Sequence, residues 1–167
     1  KGFKMSDLRQ DESYLIGSEQ AIKALAKKDE AYVLLLSDSH GDYDLVYDIL
    51  GACGSQVDAF LFCGDGSENI VSLFEEAIHE NPEHGLLRKR LPPVIAFVRG
   101  NGDAESYDYL NRGKRERLII PQAQNFIVCG KKIFLTHGHK YSVDFGLDYA
   151  AQVSAKLKRS EERRVGK

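Results

Sequence analysis

The chain alternates short apolar runs with longer amphipathic segments, which predicts strands and helices in turn. Three apolar runs are too short for buried helices and are expected to form strands: residues 32–36, 57–63 and 94–98. We expect the first of these to be a central strand that is covered on both faces. Apolar positions at helical spacing predict three helices, at residues 19–28, 45–53 and 68–79. This alternation favours an α/β domain with a parallel sheet.

The pattern changes in the second half of the chain. Residues 99–117 read as a polar stretch, and three short strands are expected after it, at residues 118–120, 125–129 and 132–136. The tight turn Gly130-Lys131 joins the last two, so the parallel sheet is expected to continue into antiparallel strands. A further helix is predicted over residues 143–157.

Composition is typical of one globular domain. The chain has 167 residues, of which 43% are hydrophobic, and a formal net charge of −2, so its charge gives no sign of nucleic-acid or membrane binding. Its longest wholly apolar run, residues 31–36, is far below the roughly 20 residues that a membrane-spanning helix needs. We expect an N-terminal helical appendage over residues 1–30 and a single domain over residues 31–167. The odd count of three cysteines favours the reducing cytoplasm, and no feature predicts an oligomeric state.

Residues of types that bind metals follow four of the predicted strands. The four segments are residues 37–41 (Ser-Asp-Ser-His-Gly), 63–66 (Cys-Gly-Asp-Gly), 99–103 (Arg-Gly-Asn-Gly-Asp) and 136–139 (Thr-His-Gly-His). Because sites in open α/β sheets form beyond the carboxyl ends of the strands, these segments are expected to meet. Each segment alone also has a purely structural interpretation: a turn, a polar strand end, or a helix cap at Asn101 or Asp103. Their shared placement favours a cage of oxygen and nitrogen ligands.

The segments together resemble the successive motifs of calcineurin-like metallophosphoesterases, over residues 32–157. The motifs are Asp38-x-His40, Gly64-Asp65, Gly100-Asn101-x-Asp103 and His137-Gly138-His139. The short spacing and the Ser-Asp-Ser-His-Gly start are similar to the small prokaryotic phosphodiesterase branch, which shares its fold with the retromer scaffold subunit. The resemblance implies a four-layer α/β/β/α sandwich of two mixed sheets, here lacking the last strands.

The resemblance also implies a site with two divalent metal ions. Asp38 and His40 would bind the first metal, Asp65 would bridge both, and Asn101 and His137 would bind the second. Manganese is the metal that the family favours, while Fe, Ni, Zn and Mg remain alternatives.

Two further residues of the motifs are expected to support the ligands. Asp103 would orient its surroundings, and His139 would lie near the site or support a neighbour.

The implied function is hydrolysis of a phosphate-ester substrate by a metal-bridged hydroxide, as a phosphodiesterase or phosphatase. The alternative is a non-catalytic scaffold or interaction domain on the same fold. A nucleotide-binding α/β domain is disfavoured because neither GxGxxG nor a Walker A sequence occurs.

The chain departs from the family pattern at two places. Gly102 stands where many relatives carry a histidine that protonates the leaving group, so esters with good leaving groups should suffer least. The family's closing Gly-His-x-His motif does not occur after residues 143–157, and His79 and His84 read as surface residues that do not replace it. An incomplete sequence, ligands from a partner and a depleted site are the three explanations, of which residues 165–167 favour the first.

Residues 81–93 hold three of the four prolines and predict a loop or insertion. Its basic residues Arg88, Lys89 and Arg90 could border the cleft and favour anionic substrates, although a solvated surface loop is the preferred interpretation.

Overall fold

Helices and strands alternate through the first part of the chain and give way to two hairpins. The computed structural model describes residues 9–79, 85–111 and 113–141. The helices are α1 (Glu19–Lys27), α2 (Tyr43–Cys53), α3 (Ser67–His79) and the one-turn α4 (Leu87–Arg90). The strands are β1 (Ile16–Gly17), β2 (Val33–Leu36), β3 (Ala59–Phe62), β4 (Val94–Phe97), β5 (Ser106–Asn111), β6 (Lys114–Ile119), β7 (Ala123–Val128) and β8 (Lys131–Thr136).

The main sheet has the strand order β1-β4-β3-β2. Strands β2, β3 and β4 are parallel, and β1 adds an antiparallel edge beside β4. The hairpins β5-β6 and β7-β8 are separate two-stranded antiparallel sheets. Because β2, β3 and β4 run in the same direction, the loops that follow them emerge at one edge of the sheet.

Apolar side chains alternate across the main sheet and build a core on each face. Phe60 and Phe62 of β3 join a cluster with α2, α3 and the hairpin β5-β6. Ala59 and Leu61 of the same strand join a second cluster with Leu25 of α1 and the hairpin β7-β8. Since successive side chains of a strand point to opposite faces, one four-residue strand anchors both clusters.

The mixed α/β architecture that the sequence predicts is confirmed. The expected central position of residues 32–36 is wrong, because β2 pairs with β3 alone among the described residues and is an edge strand. Its outward side chains are accordingly exposed, Leu35 by 59% and Val33 by 38%. The strand β5 was missed, since its alternation of Ser, Tyr and Asp reads as a polar stretch when the hairpin partner is unknown. No helix of the described segments is long and apolar enough to cross a bilayer.

The segment at residues 81–93 is not a solvated loop where it is described. Residues 85–93 include α4, whose Arg88 is buried and donates to the carbonyl oxygens of Ala77 and Ile78 at the end of α3. Arg90 lies over the ring of Tyr47, with its guanidinium carbon 5.4 Å from the ring centroid. Arg88 therefore stabilises the end of α3, and Arg90 packs on the ring of Tyr47.

Two expectations lie outside the described residues, namely the helix over 143–157 and the surface position of His84. Residues 9–30 contribute β1 and α1 to the structure, and the domain division at residue 30 stays a prediction.

Candidate metal centre

The loops after β2 and β3 are bound to each other by their backbones. The N–H of Asp38 donates to the carbonyl oxygen of Gly64 at 2.8 Å, and that of His40 donates to the carbonyl oxygen of Asp65 at 3.0 Å. Side chains add a link, because Ser39 Oγ donates to Asn69 Oδ1 at 2.8 Å. The first two predicted motifs are thus held in contact by hydrogen bonds between residues far apart in the chain.

Three of the residues expected to bind metal have a left-handed backbone. Asp38, His40 and Asp65 have φ of 56°, 46° and 56°, whereas only two other described non-glycine residues have positive φ. Such conformations cost about 1–3 kcal/mol each and persist only where surrounding contacts hold them. Because three such residues lie together in these loops, the unusual backbone conformations indicate that the loops hold the side chains of Asp38, His40 and Asp65 in particular directions.

Side chains from three loops form a cluster that fits a divalent cation. One ligand atom each of Asp38, Asp65 and His137 lies within 4.8 Å of the others. His137 Nε2 is 3.6 Å from Asp65 Oδ2, and His40 Nε2 is 3.7 Å from Asp38 Oδ1. Two carboxylates and an imidazole are ligands that Mn, Fe, Zn and Ni all accept.

The ring of His137 is oriented by a backbone carbonyl. Its Nδ1 lies 2.8 Å from the carbonyl oxygen of Cys63, so this nitrogen carries the proton and donates. The lone pair is then on Nε2, the atom that faces Asp65. Histidine ligands in proteins are held by such contacts to the far nitrogen.

Asn101 lies in a cavity next to this cluster. The cavity has a volume of about 350 Å³ and is lined by His40, Asp65, Gly66, Glu68, Asn101, Gly102, Asp103 and Tyr107. A second cavity of about 290 Å³ shares Asn101 and Asp103 and extends toward Arg99, Gln122 and His139. Asn101 is exposed and lines both cavities.

His139 packs behind His137, with the two ring centroids 5.3 Å apart. Its Nε2 lies 3.3 Å from the side-chain nitrogen of Gln122, while its Nδ1 is buried and has no hydrogen-bond partner among the described residues. Burial lowers the pKa of His139 because it disfavours the imidazolium, and the neighbouring His137 adds to the effect.

Asp103 lies behind the loops as an acceptor. Its carboxylate accepts from the backbone N–H groups of Asp65, Gly66, Ser67 and Gly100 at 2.8 to 2.9 Å, and from the Ser67 hydroxyl at 2.9 Å. Partial burial alone would raise the pKa of Asp103, but the hydrogen bonds outweigh it, so the pKa lies below the ordinary value.

The contribution of Cys63 was missed by reasoning from the sequence. Its thiol is half-buried, and burial together with the Asp38 carboxylate raises the pKa of that thiol. The group that serves the site is instead its main-chain carbonyl, which contacts His137. No side-chain pattern encodes a backbone acceptor, so no signal in the sequence points to it.

Glu68 and Tyr107 line the larger cavity and were also missed. Glu68 follows the Gly-Asp-Gly segment in the first turn of α3, where it reads as an ordinary acidic residue at a helix start. Tyr107 belongs to β5, and recognising its alternating pattern as a strand would have been the signal for it.

Comparison with known proteins identifies a family for the chain. Residues 32–165 match the model of the calcineurin-like phosphoesterase superfamily domain. No curated protein matches the chain significantly. A crystal structure of a conserved uncharacterized protein from Streptococcus pneumoniae, described as a predicted phosphoesterase, is 22% identical with a TM-score of 0.49. The match covers 77% of this chain, which spans 57% of the length of that one.

Proposed function

The chain belongs to the calcineurin-like phosphoesterase superfamily, and from this premise we propose that it hydrolyses phosphate esters with two divalent metal ions. The observation that carries the proposal is the cluster of Asp38, Asp65 and His137. Its donor set suits manganese, the metal that the motif pattern favours, as well as Fe, Ni, Zn and Mg. The proposal includes the four-layer α/β/β/α sandwich, of which the main sheet and its covering helices are described.

Each ligand has a proposed place. Asp38 and His40, whose side chains approach each other, would hold the first metal. Asp65 would bridge both metals through its two oxygens, and His137 would offer Nε2 to the second. Asn101 would complete the second metal from the shared wall of the two cavities.

The metals, when bound, lower the pKa of a water molecule and offset the charge that develops on the phosphoryl oxygens. The residues of the chain would bind the metals and orient the substrate. Cys63 is disfavoured as a nucleophile because the pKa of its thiol is raised. The hydroxyl of Ser67 donates a hydrogen bond to Asp103, so it too is disfavoured as a nucleophile.

Aryl phosphodiesters are the proposed substrate class for a first assay. Gly102 lines the cavity at the place where many relatives carry a proton-donating side chain, and glycine has no side chain that could protonate a leaving group. Leaving groups that depart without protonation are therefore favoured. This agrees with the small phosphodiesterase branch that the motif spacing resembles.

The test measures metal binding and turnover on the 167-residue chain. We expect calorimetry to detect bound Mn²⁺ and the chain to hydrolyse bis(p-nitrophenyl) phosphate when Mn²⁺ is added. Asp65→Asn removes the proposed bridging carboxylate and should abolish both signals. Asp48→Asn is the matched control, since this carboxylate is exposed on α2.

Two results would contradict the proposal. One is a folded chain that binds no divalent metal at millimolar concentration. The other is an Asp65→Asn variant that retains both metal and turnover, because the carboxylate that clusters with Asp38 and His137 would then be dispensable.

A non-catalytic interaction domain is the second candidate. The observation that favours it is the apolar surface of residues next to and within β2, where Tyr32 is 63% and Leu35 59% exposed. Exposed apolar side chains on an edge strand are typical of a surface that pairs with another chain. Metal binding separates the two candidates, because the interaction domain needs none.

A further inference from the structure

The side chain of Asp103 reaches from the loop after β4 to the start of α3. The first turn of a helix leaves N–H groups without partners inside the helix. At the start of α3, the N–H of Ser67 and that of Gly66 just before the helix donate to Asp103 at 2.9 Å, although Asp103 is 36 and 37 residues away in the chain. Asp103 therefore caps α3 from a different loop.

The same carboxylate also fixes the residues on either side of the metal cluster. The N–H of Asp65 donates to it at 2.8 Å, which helps to hold Asp65 at a φ of 56°. The N–H of Gly100, next to Asn101, donates to it at 2.8 Å. The carboxylate of Asp103 thus links two backbone segments. One carries Asp65, the predicted bridging ligand, and the other carries Asn101, a predicted ligand of the second metal.

We propose that Asp103 is a positioning residue that assembles the metal cradle before any metal binds. The position of Asp103 also has a consequence for α3. The N-terminus of a helix can bind an anion, but at α3 the carboxylate of Asp103 already occupies that place. The phosphate of a substrate must then be held elsewhere, and this part of the inference rests on the proposed function.

Preassembly is favoured by the strength of the hydrogen bonds that Asp103 accepts. A hydrogen bond to a charged acceptor is stronger than one between neutral groups. Five of them converge on a half-buried carboxylate here, and left-handed Asp65 needs such compensation. All of them are formed by protein groups alone, so the order they impose does not depend on a cation.

The test is amide hydrogen exchange of the full chain without metal, followed by Mn²⁺ titration. In Asp103→Asn an N–H₂ group replaces one of the two acceptor oxygens. Protection should therefore fall by at least about tenfold either at Asp65 and Gly100, which donate to Oδ2, or at Gly66 and Ser67, which donate to Oδ1, with Leu61 unchanged. Mn²⁺ affinity should fall about 10–100-fold. Asp108→Asn, an exposed carboxylate on β5, is the control and should change none of these.

The outcomes distinguish this inference from the proposed function. Lost protection in a chain that binds no metal supports preassembly and refutes the metal-dependent function. Unchanged protection and unchanged Mn²⁺ affinity in Asp103→Asn overturn preassembly, whatever the activity. If that variant does not fold, Ser67→Ala removes only the hydroxyl donor and should lower protection at Gly66 by about threefold. No change there would also overturn the inference.

Discussion

The backbone N–H of Gly102 donates to Oδ1 of Asp65 at 2.9 Å. This contact fixes one carboxylate oxygen, while the other, Oδ2, lies 3.6 Å from His137 Nε2. The orientation of the Asp65 carboxylate therefore depends on the path of the loop after β4, which brings Gly100 and Gly102 close to it.

Alanine substitutions at these two glycines, Gly100 and Gly102, should have different effects on Mn²⁺ binding. A Cβ at Gly100 would lie 2.0 Å from Asp65 Oδ1, whereas one at Gly102 would lie 3.5 Å from the same atom, an ordinary contact. Gly100→Ala should displace the carboxylate and weaken Mn²⁺ binding by about tenfold or more, as changes beside ligands do. Gly102→Ala, which keeps the N–H donor, should bind Mn²⁺ like the wild type. Equal affinities in calorimetry would contradict this geometry.

The protonated nitrogen of His137 can be read directly. Because Nδ1 faces the Cys63 carbonyl, we expect the neutral imidazole of the metal-free chain to be in the Nδ1–H form. Long-range ¹H–¹⁵N correlation spectra distinguish the two neutral forms. The exposed His79 at the end of α3 is the internal control, with no expected preference for Nδ1–H. An Nε2–H form at His137 would exclude the proposed metal contact in that state.

A proton donor introduced at Gly102 should broaden the substrates, if the proposed function holds. The space at this position accepts a Cβ without a clash. Gly102→His should raise the turnover of alkyl phosphate esters by about tenfold or more, since general acids commonly contribute 10²–10⁴-fold. Turnover of bis(p-nitrophenyl) phosphate should change little. Gly102→Ala is the control for shape, and an equal gain in both variants would rule out proton donation as the cause.

Acid should weaken the hairpin β5-β6 through one hydrogen bond. Tyr109 Oη donates to Glu116 Oε2 at 2.6 Å, and this bond lowers the pKa of Glu116 below its ordinary value. A carboxyl whose pKa is lower in the folded state contributes stability above its unfolded pKa and loses it as pH falls through the folded one.

Tyr109→Phe tests this dependence. It should lower the free energy of unfolding at pH 7 by about 1 kcal/mol, and the difference from wild type should shrink toward pH 3. Urea titrations at both pH values measure it, with Tyr32→Phe as a control because Tyr32 is 63% exposed. A difference that is constant with pH would show that the hydroxyl acts independently of the charge on Glu116.

Several elements could be predicted because their signals are local. The helix at Glu19–Lys27 has an apolar face and a Ser18 cap that accepts from Ala21, all readable from adjacent residues. By contrast, the edge position of β2 could not be predicted. An apolar run looks the same in the middle of a sheet and at its edge, and only the pairing of distant strands decides which it is.

The sequence by itself determined the α/β class, the order of the four motifs and the residue types available for chemistry. The family match over residues 32–165 agrees with that interpretation. Only the tertiary structure decided how the motifs meet: that Asp38, Asp65 and His137 converge, and that Asp103 caps α3 from another loop. The physical reason is that backbone φ and side-chain direction in these loops are set by hydrogen bonds between residues tens of positions apart, which no local pattern encodes.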